Sequence, residues 1–136
     1  MTDMKLADFA ALGDFAPAGL QATRLALKTA AVSAAAGRIP IAGAAVFMAE
    51  DGTLTTITTG CNGRIPADDG PGYPTDHGET AAVRHIDDVS AWDWKRAVFA
   101  TTLSPCVMCT RTLMHLHSLG LSRITIAESQ SFPGRK

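Results

Sequence analysis

The sequence predicts an α/β protein in which helices pack on both faces of a mixed β-sheet. Two observations indicate this class. A pair of β-type segments joined by a tight turn follows the first helix, and strands alternate with helices in the rest of the chain. The predicted order is helix, strand, strand, helix, strand, helix, strand. A hairpin followed by such an alternation is typical of a mixed sheet covered by helices.

The first helix is predicted over residues 17–37. Pro17 suits the first turn of a helix, where its missing N–H has no partner to lose, and Gly37 favours termination. The apolar positions that favour a helix here are Leu20, Leu25, Leu27 and Val32.

The next segments predict a β-hairpin and a loop. Residues 41–48 form a short apolar run without helical period, and residues 53–59 continue as a strand rich in Thr and Ile. The Glu-Asp-Gly sequence at 50–52 is a hairpin signal between them. Residues 62–75 are punctuated by Gly and Pro, which predicts a loop.

The second half of the chain alternates between helices and strands. A helix is predicted over residues 78–89 and a buried strand over residues 97–101. A further helix is expected to begin after Pro105 and to end by Gly120, and residues 123–127 complete the prediction as a strand.

Length and composition predict one domain over residues 1–136, with 46% hydrophobic and 18% charged residues. This apolar fraction excludes a fully disordered chain. The 12 Lys and Arg are scattered and balanced by 13 Asp and Glu, giving a net charge of -1. Tight binding to long nucleic acid needs clustered cations, so no nucleic-acid partner is expected.

Neither a membrane span nor a targeting segment is expected. The most apolar stretch, residues 20–36, is rich in Ala and contains Arg24 and Lys28, which suits a packed helix better than a bilayer. No signal-peptide core follows the N-terminus. Three cysteines are an odd number and two of them form a C-x-x-C, so a reducing, cytoplasmic location is expected.

Two short segments combine residue types that bind metals: His77-Gly78-Glu79 and Pro105-Cys106-Val107-Met108-Cys109. Each opens a predicted helix. One helical turn separates Cys106 from Cys109, so both sulfurs are expected on one side, where the helix dipole favours thiolates. With the imidazole of His77, 29 residues earlier, they fit tetrahedral Zn²⁺ with one position open for water.

Glu79 is expected to face that open position, because it lies two residues beyond His77 at a helix start. Zinc lowers the pKa of bound water from about 15.7 to about 7. A carboxylate beside this water can accept its proton and pass it on. The two motifs therefore predict a site that generates a nucleophile, with Glu79 as the proton shuttle.

Two other interpretations of the cysteines stay open. A C-x-x-C at a helix start also occurs in thioredoxin-like redox pairs, although that motif lies early in its domain and needs no upstream histidine. In a closed structural zinc site, Cys61 would be a fourth ligand, and Glu79 would have no water to act on. The expected role of Cys61 is that of a small buried apolar residue.

The segment Thr101-Thr102-Leu103-Ser104-Pro105-Cys106-Val107-Met108-Cys109-Thr110 closely resembles the zinc-binding segment of yeast-type cytosine deaminases, in the cytidine deaminase superfamily. H-x-E together with P-C-x-x-C is the signature of zinc deaminases acting on nucleobases. The resemblance covers residues 40–132, about two-thirds of the chain. Its other matching positions are residues 40–43, Asn62, His77, Gly78, Glu79, Arg123 and Phe132.

This resemblance implies a three-layer α/β/α domain with a five-stranded mixed sheet, one Zn²⁺ per chain and a homodimer. His77, Cys106 and Cys109 would bind zinc, and Glu79 would move the proton. Asn62 would bond the base, although it is also an ordinary turn residue, and Phe132 would pack on the ring unless it is simply a core aromatic. The other implied substrate contacts are Ile41 and the backbone of Gly78, Ser104 and Cys106.

The sequence departs from the family pattern in two places. The loop at 63–75 is long and rich in Gly and Pro, so the rim of the pocket is expected to differ. Yeast-type enzymes also continue with a C-terminal helix that covers the site, whereas this sequence ends at Lys136, soon after Phe132. We therefore expect a neighbouring subunit or a further segment to cover the site.

The leading functional hypothesis is hydrolytic deamination of a free nucleobase, with cytosine converted to uracil. The alternatives are the same chemistry on guanine, another amino-heterocycle or a nucleoside. Deamination of adenosine in tRNA is disfavoured because no basic surface is visible. A deaminase-like module that binds a base or a partner without turnover is a further alternative, against which the intact Glu79 argues.

Overall fold

A computed structural model describes residues 12–37, 41–61, 82–102 and 107–127, and of residues 107–110 it describes the backbone only. A single 3-10 turn, Gly13–Phe15, leads into helix α1, Ala16–Ala35. Pro17 lies in the first turn of α1, as predicted, and Gly37 follows its end with a φ of 82°. Glycine adopts this left-handed conformation without a steric penalty, which explains why the helix ends there.

Strands β1, Ala42–Met48, and β2, Leu54–Cys61, form the predicted antiparallel hairpin. In its turn the Asp51 carboxylate accepts a hydrogen bond of 2.9 Å from the Thr53 N–H. Gly52 beside it has a φ of 90°. The Glu-Asp-Gly sequence thus forms the turn because its carboxylate satisfies a backbone donor and its glycine takes the positive φ.

The second half builds a strand–helix–strand unit from β3, Ala97–Thr101, helix α2, Val107–Ser118, and β4, Ile124–Ile126. The described strands form one sheet in the order β2-β1-β3-β4. β1 is antiparallel to both β2 and β3, whereas β3 and β4 are parallel. The predicted mixed sheet is therefore confirmed, with four strands in the described residues where the resemblance implied five.

The two helices cover opposite faces of this sheet. On one face α1 packs against alternate residues of the central strands, including Ala44, Val46 and Val98. On the other face Leu113 and Leu116 of α2 pack against the intervening positions of the same strands, Ala45, Ala97 and Phe99. Because successive side chains of a strand point to opposite faces, this alternation defines three α/β/α layers.

The large apolar residues of α1 do not form its main contact with the sheet. Leu20 and Val32 are 39% and 45% exposed, and Leu25 and Leu27 are only half-buried. The face that contacts the sheet consists of small residues: Ala18, Gly19, Ala22, Thr23, Ala26, Thr29, Ala30 and Ser33. Small side chains let the helix axis approach the sheet closely. The interface is therefore filled by close contact of the two backbones and not by large leucine side chains.

The helix predicted over 78–89 ends earlier than expected. Within its described part only residues 82–84 are helical, and residues 89–91 form a separate 3-10 turn. Asp88 is extended and its carboxylate accepts a hydrogen bond of 3.0 Å from the Ser90 N–H. An aspartate in this conformation caps the turn that follows it and interrupts the helix that precedes it.

Helix α2 ends at Ser118, and Gly120, with a φ of 122°, closes the turn toward β4. A Cβ at this position would lie 3.2 Å from the Lys95 backbone nitrogen, so the turn needs glycine for space as well as for conformation. Across the described ranges, no helix has the length and apolar character needed to cross a bilayer.

Candidate functional site

The topology brings four chain segments to one end of the sheet. Ala42, the first residue of β1, pairs with Cys61, the last residue of β2. In the next pairs along the strands, Gly43 lies opposite Thr101, the last residue of β3, and Thr101 lies beside Ile126, the last residue of β4. We call this the carboxyl end of the sheet, because β2, β3 and β4 finish there and β1 begins there.

The segments that carry the predicted site residues join the sheet at this end. Ile41, a predicted pocket residue, is half-buried immediately before β1. In sequence, Asn62 directly follows Cys61, and the segment with Ser104 and Cys106 follows β3. Apart from Ile41, the predicted substrate contacts lie outside the described residues: Asn62, Gly78, Ser104, Cys106 and Phe132.

Helix α2 begins at the carboxyl end because it connects two parallel strands and must run back along the sheet. Its first residue is Val107, which places Cys109 on its first turn and Cys106 just ahead of it in sequence. The Cys109 side chain and the whole of Cys106 lie outside the described residues. The observed helix start agrees with the spacing argument for two sulfurs one turn apart.

The other predicted zinc segment leads into the helical residues 82–84. Ala82 is buried on the α2 face of the sheet, and its carbonyl oxygen accepts a hydrogen bond of 2.6 Å from the Thr58 hydroxyl of β2. His77 and Glu79 precede Ala82 by five and three residues and lie outside the described part. Thus both zinc segments lead into helical residues that pack on the same face of the sheet.

Cys61 lies on the opposite face. It is 1% exposed and packs with Ala42 of β1 and Ala30 of α1. This position argues against a closed structural zinc site with Cys61 as its fourth ligand, because α2 packs on the other side of the sheet. Cys61 has the predicted role of a small buried apolar residue.

The histidines that the structure describes do not build a competing metal centre. His85, His115 and His117 are exposed, and Nδ1 of His117 lies 2.7 Å from the Leu121 carbonyl oxygen. No group of three or more His, Cys, Asp or Glu side chains suited to a metal occurs among the described residues. The predicted donor set is one imidazole and two thiolates, from His77, Cys106 and Cys109, and the chemistry of this set fits Zn²⁺.

Sequence reasoning missed two threonines that connect these segments to the sheet. The Thr58 hydroxyl donates a hydrogen bond to the Ala82 carbonyl oxygen. The Thr102 hydroxyl accepts a hydrogen bond of 3.1 Å from the Ala42 N–H. Thr58 lies in a strand rich in Thr, and a one-dimensional pattern does not show which of its hydroxyls finds a buried partner. Thr102 belongs to the quoted motif segment, but only the strand register reveals its partner.

Residues 19–127 match the family described as the cytidine and deoxycytidylate deaminase zinc-binding region. The match spans both metal-binding motifs, and the chain belongs to this family. The resemblance to the cytidine deaminase superfamily is therefore confirmed, and Zn²⁺ is the metal that the family's zinc-binding region takes. No curated protein matches the chain.

Among solved structures, 14 chains match. One is guanine deaminase from Bacillus subtilis, with a TM-score of 0.53 and 21% sequence identity over 80% of this chain. The match covers 63% of the guanine deaminase chain, so this protein spans somewhat less than two-thirds of that enzyme's length. This similarity supports the α/β fold of the deaminases.

Proposed function

We propose that the protein is a zinc-dependent hydrolase that deaminates a free nucleobase, with cytosine as its substrate. The observation that carries the proposal is the convergence at the carboxyl end of the sheet. Helix α2, whose first turn bears Cys109, packs on the same face of the sheet as buried Ala82, which follows His77 and Glu79 in sequence. The family match adds a zinc-binding region that spans both segments.

In this proposal His77, Cys106 and Cys109 hold the metal. Bound Zn²⁺ supplies a Lewis acid that makes water acidic enough to ionise near neutral pH. The donor set leaves one of four tetrahedral positions without a protein ligand, which is the arrangement of a catalytic and not a structural site. The burial of Cys61 on the α1 side supports this assignment, because Cys61 is the residue that a closed structural site would use as its fourth ligand.

Glu79 moves the protons. Its carboxylate takes one proton from the attacking water and delivers it to the ring nitrogen next to the amino-bearing carbon. The water oxygen bonds to that carbon, which becomes tetrahedral. Glu79 then takes the remaining proton from this oxygen and transfers it to the amino nitrogen, so the C–N bond breaks, the C=O bond forms and ammonia leaves. One base and one water thus give the oxo base and one ammonia, and Glu79 returns to its starting state.

The remaining predicted residues bind and orient the base. Asn62 offers both a donor and acceptors, as the edge of a pyrimidine requires. Ile41 lines the pocket from the start of β1, and its half-buried position supports that role. Phe132 packs against the ring, while the backbone of Gly78, Ser104 and Cys106 supplies further polar contacts. The assembly we propose is a cytoplasmic homodimer with neither nucleic acid nor membrane as a partner.

The test is a panel assay of ammonia release by the zinc-loaded protein. The panel contains cytosine, guanine, adenine, cytidine and a short single-stranded RNA, each at the same concentration. Cytosine is expected to give the highest kcat/KM. If guanine is the preferred substrate, the proposed zinc-dependent deamination stands and cytosine is wrong as the substrate. That result would be compatible with the similarity in fold to a guanine deaminase. Ammonia from none of the panel would favour a binding module without turnover.

A further inference from the structure

We propose that Thr58 and Thr102 are positioning residues whose hydroxyls fasten the two zinc-ligand segments to the sheet. The inference rests on the proposed zinc site and adds two residues that act through the backbone and not as ligands. Both threonines are buried, at 6% and 3% exposure, and each hydroxyl bonds to the backbone of another segment.

Thr102 connects the start of β1 with the segment that runs on to Cys106. Its N–H donates to the Ala42 carbonyl at 3.1 Å, and its Oγ1 accepts from the Ala42 N–H, also at 3.1 Å. In a regular antiparallel pair both acceptors are backbone carbonyls. Here the hydroxyl takes the place of one of them, so the chain leaves the sheet after Thr102 while the Ala42 donor stays satisfied.

Thr58 connects β2 with the segment that follows Glu79. Its hydroxyl donates to the Ala82 carbonyl oxygen at 2.6 Å, across 24 residues of chain. Thr58 pairs with Ala45 in the middle of the sheet, and both Ala45 and Ala82 belong to the core under α2. A β-branched threonine in a strand has few χ1 rotamers, so its hydroxyl holds this carbonyl at a defined place.

The pair of bonds fixes two segments against one hairpin. Thr58 lies on β2 and the partner of Thr102 lies on β1, and these strands are directly paired. Ala82 is only three residues beyond Glu79, and Thr102 is four residues before Cys106. Groups outside the ligand shell that orient metal ligands typically change metal affinity by about 10- to 100-fold when they are removed.

The experiment measures zinc affinity in full-length Thr58→Val and Thr102→Val by competition with a chromophoric chelator. Valine keeps the branched shape and removes the hydroxyl. Each variant is expected to bind zinc about 10-fold more weakly or worse. The absorption spectrum of the Co²⁺-substituted protein supplies a second readout, because it reports the geometry around the thiolates and is expected to change in both variants.

Two valine controls and two serine variants separate positioning from general stability. Thr125→Val removes a buried hydroxyl that lies 3.1 Å from that of Thr23, between α1 and β4, and Thr56→Val changes an exposed residue of β2. Both are expected to keep the wild-type affinity within about twofold, as are Thr58→Ser and Thr102→Ser, which retain the hydroxyl. The thermal unfolding temperature of every variant is measured as well, so that zinc affinities are compared only between variants of similar stability.

Three results would overturn the inference: wild-type zinc affinity in both valine variants, an equal loss in Thr125→Val, or a loss in the serine variants as large as in the valine ones. Where a valine variant does not fold, the corresponding alanine variant, Thr58→Ala or Thr102→Ala, removes the hydroxyl in its place and is compared with the serine variant. These outcomes are separate from those of the proposed function. A wild-type protein that binds zinc without releasing ammonia from any base refutes the function and leaves the role of the hydroxyls standing, whereas a wild-type protein that binds no zinc refutes both.

Discussion

The guanidinium carbon of Arg123 lies 3.8 Å from the centroid of the Phe15 ring. Nη1 of the same arginine donates a hydrogen bond of 2.7 Å to the Lys95 carbonyl, and Arg96 approaches the ring to 5.3 Å. This contact joins the turn before α1 to the start of β4. It lies at the end of the sheet where β3 and β4 begin, away from the carboxyl end, so we expect Arg123 to support the fold and to have no part in the proposed site.

We expect Arg123→Met to lower the free energy of unfolding by about 1–2 kcal/mol, through loss of the cation–π contact and of one charged hydrogen bond. Chemical denaturation measures this change. Arg24→Met on the exposed side of α1 is the matched control and is expected to stay within about 0.5 kcal/mol. Zinc affinity should be unchanged in both variants, and its loss in Arg123→Met would place that residue at the site after all.

The small-residue face of α1 predicts that added bulk is harmful there. Ala22 is 0% exposed and packs against the sheet, so Ala22→Leu is expected to cost about 1–3 kcal/mol of unfolding free energy. Ala31 is exposed on the same helix, and Ala31→Leu should change stability by less than about 0.5 kcal/mol. Equal effects from the two substitutions would show that α1 packs through another face.

Cys61 and Cys109 should respond differently to removal of sulfur. Cys61→Ala is expected to keep zinc and to cost about 1 kcal/mol of stability, because it deletes one buried atom from an apolar contact. Cys109→Ala is expected to abolish tight zinc binding. The zinc content of each variant after gel filtration distinguishes these outcomes. If Cys61→Ala contained no zinc, the closed structural site with Cys61 as its fourth ligand would be supported instead.

Glu79→Gln is expected to reduce kcat for ammonia release at least about 100-fold, because an amide cannot take a proton from water. Zinc content should match that of the wild type, since Glu79 is not assigned as a ligand. Glu50→Gln in the exposed hairpin turn is the control for loss of one carboxylate. Substantial turnover by Glu79→Gln would refute the proton shuttle.

Asp88 gives a prediction about pH. Hydrogen bonds from the Ser90 hydroxyl at 2.6 Å and the Ser90 N–H at 3.0 Å lower the pKa of the Asp88 carboxyl below its ordinary value of 3.8. A depressed pKa in the folded state means that the carboxylate stabilises the turn above the ordinary pKa and loses this effect as the pH falls through the lowered one. Carbon-detected NMR titration should give a midpoint below 3.8 that rises in Ser90→Ala. An identical midpoint in both proteins would contradict this cause.

Local signals were enough to predict most of the described elements. Strand β3 has the predicted bounds because a buried apolar run between polar turns is unambiguous, and the ends of α1 follow from Pro17 and Gly37. The orientation of α1 was not predictable from hydrophobicity. Its sheet-facing residues are alanines, threonines and a serine, which a periodicity argument ranks below the exposed Leu20 and Val32.

The family and its metal were predictable from residue types and spacings, whereas the hydrogen bonds of Thr58 and Thr102 were not. The start of α2 at Val107 agrees with the C-x-x-C spacing, and the burial of Cys61 agrees with its expected apolar role. Thr58 and Thr102 have partners 24 and 60 residues away, and such pairings depend on strand register. A residue-by-residue pattern contains no information about that register.

In the proposed arrangement the carboxyl end of the sheet carries the chemistry, and the end where β3 and β4 begin has only a structural role, so we expect the domain to accept loops grafted from relatives. Side chains at the start of β3 and β4 bond to the backbone of their neighbours, as Arg96 does to the Met48 carbonyl at 2.8 Å. We therefore expect that the segments that join the strands at the carboxyl end can be exchanged between relatives, while the pairing of the four strands is kept. The exchanged segment would then determine which substrate is preferred, while the four-stranded sheet and its helices would stay the same.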